Sequence, residues 1–454
     1  MPAEIESKPN HNNYSHLLFI FGVVLASFLI FSIGPYLKLV EQLGYRIPQG
    51  DMVTDYVTAL VWAGFLGGCI FFSPIRHKDK HVLLWAWMIK CFMALFVLLF
   101  YEAHYPSDAE GYWGAAQNPE GVREILNIDI FSGFFNAGLH TYKMNTLVWY
   151  YLQIVPDVIA ESYHSLKVTF AMIGLIAMYV FYRASIIITN KENRAFFWVL
   201  ILFPSLLIWT SRVGKESLMC LGVALFTLGL VGWHYKRKNF FLVLGLIGLV
   251  SCTFLRIWVG ATIMASLFFY FWIGSKKTFN RLTSTLLIGI LLLMTYNLIL
   301  KKFYIANGVQ GIYKKLERVA SYNRTGGSTI YQETIVINGA TDIVKYAPKG
   351  MFTALFRPLP GDVPGPLGAL AGMEGFIILF CFFRAAKRTR LRELSHPILV
   401  WAVSFILFWA LIYGFAMQNF GTAVRWKTQI LPIFLGLLFY LGRLRLKEIK
   451  LPKS

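Results

Sequence analysis

Runs of apolar residues, each about 18 or more long, recur along this chain and leave few folds open to it. A helix of that length matches a hydrocarbon core about 30 Å thick, and in lipid only helices and closed barrels satisfy their own backbone. The alternating pattern that a barrel's strands need is absent. Of 454 residues, 57% are hydrophobic, 17% aromatic and only 15% charged, far from a soluble average. The expected fold class is all-α: a polytopic helical membrane protein forming a single integral membrane domain over residues 1–454.

Twelve candidate spans follow from the apolar runs, at 17–37, 52–73, 82–101, 164–182, 195–210, 217–233, 240–256, 258–274, 282–300, 367–383, 397–414 and 428–442. The first has no small-residue cleavage site after it and reads as a retained anchor, not a signal peptide. The connections at 75–81, 183–194, 234–239, 275–281 and 384–396, with the tail 443–454, carry the Lys and Arg clusters. These are every second loop. The positive-inside rule assigns them, and both termini, to the cytoplasmic side, an arrangement that twelve spans also require. The net charge of +20 is thus accounted for by topology, and nucleic acid is not an expected partner. All five cysteines lie scattered in apolar segments with no CxxC pair, so neither a disulfide framework nor a zinc site is indicated.

Two long extracytoplasmic loops remain, 102–163 and 301–366. The first holds YPSDAEGYWGAAQNPEG and then the amphipathic FSGFFNAGLHTYKMNTLVWYYLQIV, suited to the membrane interface. The second begins with a polar helical stretch, Val309 to Val319, and the flexible SYNRTGGST, and closes on KGMFTALFRPLPGDVPGPLG. Residues 350–366 there form a candidate re-entrant segment, tolerable at membrane depth only if buried in protein or lining a wet cavity. No internal repeat is evident, which weighs against a repeat-built secondary transporter.

The most informative stretch is FPSLLIWTSRVGKE, 203–216. Arg212, Lys215 and Glu216 sit in a tight hairpin between two apolar segments, where charge is costly unless solvated, paired or bound. The same topology brings other charges to that side: Asp108 and Glu110 after the third span, Arg256 in FLRIWVG, Arg357 and Asp362 in FRPLPGD, Glu374 inside the tenth span, and Arg425 and Lys427 in NFGTAVRWK. Taken singly, a cation at a helix end more often snorkels to headgroups than binds a substrate. Carboxylates in SDAEG are ordinarily solvated turn residues, although the adjoining Tyr112 and Trp113 also suit sugar handling. Taken together, the cations match an anionic diphosphate: Arg offers a planar fork for phosphate oxygens and Lys a point charge. A nearby Asp or Glu can accept the proton of an attacking sugar hydroxyl, and basic charge stabilises the departing diphosphate.

These segments also resemble a known group. FPSLLIWTSRVGKESLM resembles the Pro-Ser…Trp-Ser…Lys-Glu/Asp signature of bacterial polytopic proteins from exopolysaccharide and O-antigen gene clusters. FRPLPGDVPGPLGALAGMEGF is similar to their Arg-Pro-Pro…Leu-x-x-x-Glu segment, and NFGTAVRWKTQILPIF to their closing Asn-x-Gly-Thr…Arg…Pro run. SDAEGYWGAA is similar to the acidic first outer loop of GT-C glycosyltransferases, whose Asp or Glu serves as base. Gly361 and Asp362 depart from the pattern, standing where relatives often carry an aromatic and Glu.

The resemblance implies a polysaccharide polymerase or glycosyltransferase of the bacterial inner membrane, acting in cell-envelope polysaccharide biosynthesis. Its substrates would be an undecaprenyl-diphosphate-linked glycan as donor and a second lipid-linked glycan as acceptor. Asp108 or Glu110 would be the catalytic base. Arg212, Lys215, Arg256, Arg357 and Arg425 would grip the diphosphate, with Glu216 and Glu374 orienting them. No cofactor or metal is expected, since neither HExxH nor DxD occurs. Membrane lipid and other polysaccharide-assembly proteins are the expected partners. Three alternatives stay open: a GT-C enzyme using a polyprenyl-monophosphate sugar, a flippase or transporter of the lipid-linked glycan, and a scaffold in an assembly complex. The flippase reading predicts charge through the span centres; these are nearly free of it, the exceptions Lys90, Lys167 and Glu374 falling nearer the ends, which favours a surface site over a translocation path.

Overall fold

The computed structural model describes residues 11–43, 51–104, 107–118, 140–274, 286, 289, 339–390, 392–417 and 419–443, and every regular element among them is helical. Among the described residues, eight helices are long and apolar enough to cross a membrane. They are α1 (His11–Leu43), α2 (Met52–Phe72), α3 (His77–Phe92) continued through a π-helical turn into α4 (Leu98–His104), α8 (Tyr163–Thr189), α11 (Lys215–Lys236), α13 (Ile257–Gly274), α15 (Pro366–Arg388) and α16 (Pro397–Ala416). Shorter helices lie between them: α5 (Asp108–Gln117), α6 (His140–Ile154), α7 (Asp157–Ala160), α9 (Arg194–Leu202), α10 (Pro204–Trp209), α12 (Asn239–Leu255), α14 (Ala340–Phe356), α17 (Phe420–Lys427) and α18 (Leu431–Leu441). Bulky apolar side chains on several spans face outward, Phe31 at 82%, Phe72 at 85% and Phe380 at 60% exposure. Such a surface is an aggregation liability in water and carries no cost against lipid tails.

Two expected spans differ from expectation for local reasons, those at 195–210 and 428–442. The segment at 195–210 is not one helix: α9 stops at Leu202 and α10 restarts at Pro204, because proline lacks the N–H of a continuing helix and forces Phe203 to an extended ψ of 117°. The expected 240–256 returns as α12 with the same length of 17 residues, shifted by one; it ends at Leu255 with Arg256 extended between it and α13, the tight helical hairpin expected there. At 428–442 the helix begins only at Leu431 and has 11 residues. The span at 282–300 and the segment Val309 to Val319 lie outside the described residues, save for residues 286 and 289. The candidate re-entrant stretch is the last turns of α14 followed by the turn 357–365, which leads into Pro366 at the start of α15.

The chain divides into two compact units. One comprises Met1–Gly133, Gly138–Tyr179 and Leu207–Leu221; the other comprises Phe134–Ala137, Val180–Leu206 and Gly222–Ser454. In the first unit, the π turn at Met93–Val97 shifts the hydrogen-bond register within the third span, and such turns leave carbonyls to be satisfied from elsewhere. Two tyrosine hydroxyls meet that need: Tyr56 of α2 donates to the Leu95 carbonyl at 2.7 Å, and Tyr36 of α1 to that of Phe96 at 3.0 Å. This fixes the rotation of α4 and hence of Tyr101 and Glu102. In the second unit, α13 and α14 both pack along α16. There α11 meets α12 through small residues, a Cβ at Gly229 falling 2.5 Å from the Gly245 Cα, as helices do where lipid supplies no hydrophobic drive.

Candidate functional site

The residues singled out in the sequence fall into two sets, one in each unit. In the first unit, Ser107 caps α5, its hydroxyl accepting from the Ala109 amide at 3.1 Å, as a serine before a helix with acidic first-turn residues should. Those residues are Asp108 and Glu110, both exposed. The Arg212 guanidinium donates to the same Ser107 hydroxyl at 2.5 Å. Its charge stacks 4.8 Å from the Trp209 ring and 5.8 Å from that of Tyr101. Lys215, the first residue of α11, sits 5.3 Å above the Tyr112 ring of α5. The hairpin from 210 to 216 and the acidic helix are therefore one local structure, with Tyr163 of α8 in electrostatic reach of Glu102, Arg212 and Glu110.

Three features hold the hairpin in place. The carbonyl and side chain of Thr210 lie where a Cβ at Gly174 of α8 would be, so only glycine admits the backbone there. The Thr210 hydroxyl accepts from Lys90, which is fully buried in α3. The Glu216 carboxylate folds back over Gly214, 2.7 Å from where a Cβ would stand, placing negative charge at the N-terminus of α11. Arg212, Lys215 and Glu216 are 4%, 3% and 1% exposed. They are set into the protein, not snorkelled to a headgroup layer.

Two expectations are corrected here. Tyr112 and Trp113 are 2% and 4% exposed; Trp113 packs edge-on against Tyr163 at 5.9 Å. They build the wall of the helix and are not an open platform for a sugar ring. The apolar spans also hold more charge than Lys90, Lys167 and Glu374: Glu102 of α4 pairs with Lys167 of α8 at 2.8 Å, their side chains 3% and 0% exposed. Asp55 of α2 accepts from the Ser162 hydroxyl and, at 3.1 Å, from the His164 amide.

In the second unit, Arg357 is held in a fork by Asp362, at 2.9 Å through Nε and 2.5 Å through Nη2. Asp362 also accepts from the Leu359 amide at 2.6 Å. The Arg357 hydrogen bond, foremost, together with that amide holds the Asp362 carboxyl below the usual range. Asp362 is thus the counter-ion of Arg357 and the organiser of its turn. Lys427, buried at the end of α17, donates to the Arg357 carbonyl at 2.8 Å. Burial pushes its amine down to about 8, with Glu374 opposing the shift. Glu374 of α15 accepts from the Ser205 amide at 2.5 Å and from its hydroxyl, satisfying the start of α10, whose first N–H groups have no helical partner. Gly375 beside it lets the carbonyls of Phe356 and Pro358 approach α15. Arg256 stacks 5.1 Å from Trp426, the neighbour of Arg425 in α17.

Sequence reasoning missed Ser107, Ser205 and Glu102. For Glu102 a signal existed: FVLLFYEAHY closes one apolar run on an acidic residue and SYHSLKVTF opens the next long one with a basic residue. The two serines carry no sequence mark beyond their place before a helix. Among the described residues no group of three or more His, Cys, Asp or Glu could hold a metal ion. No protein-family model, curated protein or solved structure matches the chain.

Proposed function

We propose that this protein is a glycosyltransferase of polysaccharide-polymerase type in the bacterial inner membrane, with both termini cytoplasmic. It would take a polyprenyl-diphosphate-linked glycan as donor. The observation that carries the reading is the hydrogen bond from Arg212 to Ser107, the cap of the helix bearing Asp108 and Glu110. An arginine suited to a diphosphate and two exposed carboxylates thereby belong to one local structure, which supports the reading. In the transfer, an acceptor hydroxyl oxygen attacks the anomeric carbon of the donor, and its proton passes to Asp108 or Glu110. The bond from that carbon to the diphosphate oxygen breaks with its electron pair, and the new negative charge is stabilised by Arg212 and Lys215. Arg212 spends one of its five donors on Ser107 and binds the rings through its faces, which leaves the fork to phosphate oxygens.

The test is the glycan profile of a strain lacking the protein, complemented with wild type, Asp108→Asn, Glu110→Gln or Arg212→Ala. The reading expects single-repeat lipid-linked glycan to accumulate with Arg212→Ala and with one carboxylate variant, at normal protein levels. Long polymer in all three variants would sink it. One observation favours a flippase instead: the buried Glu102–Lys167 pair and Lys90 put charge inside spans, where ionisable residues mark transport paths. A flippase predicts glycan trapped on the cytoplasmic face with every carboxylate variant active.

A further inference from the structure

The second unit contains a cavity that the reading above does not use. It has a volume of about 90 Å³ and lies among the last turns of α8, the start of α9, the second half of α11, the start of α16 and α18. Phe181, Ala184, Val231 and Trp401, all buried, form its walls, with Gly436 on one side. The hydroxyls that reach it are spent on their own helices: Thr227 donates to the Val223 carbonyl at 2.7 Å, and Ser185 to that of Tyr182 at 2.7 Å. The cavity therefore offers an apolar surface to an apolar guest.

Two details give that guest a polar end. Trp401 is 1% exposed and its indole N–H has no hydrogen-bond partner, a donor whose burial costs free energy until an acceptor arrives. Trp401 is the fifth residue of α16, so it lies about 6 Å along the helix from its start at 1.5 Å per residue. At the mouth stand Ser185, Thr189 and Tyr440, and the neighbouring chain is basic. Arg443 stacks 3.8 Å from the Tyr440 ring, pairs with Glu393 at 2.8 Å and remains 37% exposed. Arg388 donates to the Gly442 carbonyl at 2.9 Å, and Arg183 and Arg194 flank the lining residues in sequence.

We infer that this cavity binds an anionic glycerophospholipid from the leaflet on the side of the basic connections. The upper part of one acyl chain lies in the cavity, an ester carbonyl accepts from Trp401, and the phosphate lies by Arg443. A prenyl chain would fill the apolar space but bring no ester to Trp401. The site is independent of any glycan chemistry.

The test is native mass spectrometry of the full chain, purified in detergent and titrated with phosphatidylglycerol, phosphatidylcholine or a prenyl monophosphate. One phosphatidylglycerol is expected to be retained at least tenfold more tightly than phosphatidylcholine. Ala184→Phe, which fills the cavity, should remove that adduct. Should Ala184→Phe fail to fold, Trp401→Phe keeps the ring and deletes the donor, and should weaken retention about fivefold, the worth of one hydrogen bond of about 1 kcal/mol. Arg443→Gln should lower phosphatidylglycerol binding and leave phosphatidylcholine unchanged. Equal retention of the two phospholipids, stronger retention of the prenyl phosphate, or an unchanged adduct in Trp401→Phe would each overturn the assignment.

Discussion

Replacing Lys167 by methionine should destabilise the protein far more than replacing Lys167 and Glu102 together. Their charges are 2.8 Å apart with side chains 0% and 3% exposed. At an effective dielectric of about 20 the attraction at that distance is about 6 kcal/mol, offset by several kcal/mol of desolvation for each ion. Lys167→Met removes the attraction and leaves the Glu102 charge buried with its desolvation uncompensated, at a cost of about 3–5 kcal/mol. Glu102→Leu strands the ammonium in the same way; the Tyr163 ring, 5.8 Å from it, returns only about 1–2 kcal/mol. Glu102→Leu with Lys167→Met exchanges the pair for apolar side chains of similar length. That variant should fall within about 2 kcal/mol of wild type, or above it.

The assay is denaturant unfolding of purified protein in a fixed detergent, followed by intrinsic fluorescence, for the four members of the cycle. The coupling energy is the difference between the double variant and the sum of the singles, and about 4–8 kcal/mol of rescue is expected from the figures above. If the singles add, or if Lys167→Met unfolds with wild type, the ion pair is not a buried unit and the argument fails.

Gly229→Ala should abolish a well-behaved detergent-solubilised species, because its Cβ would stand 2.5 Å from the Gly245 Cα. Gly245→Ala, whose Cβ meets nothing nearer than 3.7 Å, should be neutral or gain up to about 1 kcal/mol from helix propensity; size-exclusion profiles separate the two. Lys427 has a folded value near 8 against about 10.4 unfolded. Both states hold the proton below 8, and the unfolded chain holds more of it above. Stability should therefore rise between pH 8 and about 10.4, by up to about 3 kcal/mol, and Lys427→Met should flatten that rise in a pH series of melting temperatures. Asp362, held low by Arg357, contributes stability that is present above the unfolded value of about 3.9 and lost as pH falls through the folded one. Asp362→Asn should remove that acid-limb slope, and for a pair still partly solvated the loss at neutral pH is about 1 kcal/mol or less.

Class and most spans were legible because apolar run length reports directly on helix crossing. The sequence runs at 52–73 and 397–414 return as α2 and α16 almost residue for residue. A miss arose where one residue outranks hydropathy: Pro204 divides an apolar run that composition leaves whole. The candidate residues were legible as types, since charge beside lipid is rare, but not as pairs. Nothing in FRPLPGD says that Asp362 turns back on Arg357, because that depends on the turn's backbone. Likewise nothing in SDAEGYW says that Tyr112 and Trp113 turn inward, because a helix of 10 residues has a buried face that only its neighbours decide.

How each charge is satisfied separates contact from support. In the second unit the carboxylates are spent on the chain itself: Glu374 on the first amide of α10, Asp362 on the Leu359 amide and the Arg357 fork. An arginine held bidentate by a carboxylate has little left for a diphosphate, since the anion would have to displace a partner already at hydrogen-bond distance. Arg357 and Glu374 are thus positioning residues for the turns they close. In the first unit Arg212 is held mainly through its faces, by Trp209 and Tyr101. Ring contacts fix a guanidinium's place while leaving its in-plane donors directed elsewhere. Set against Arg357, Arg212 is the better placed of the two for the proposed diphosphate, because rings and a hydroxyl hold its charge in place.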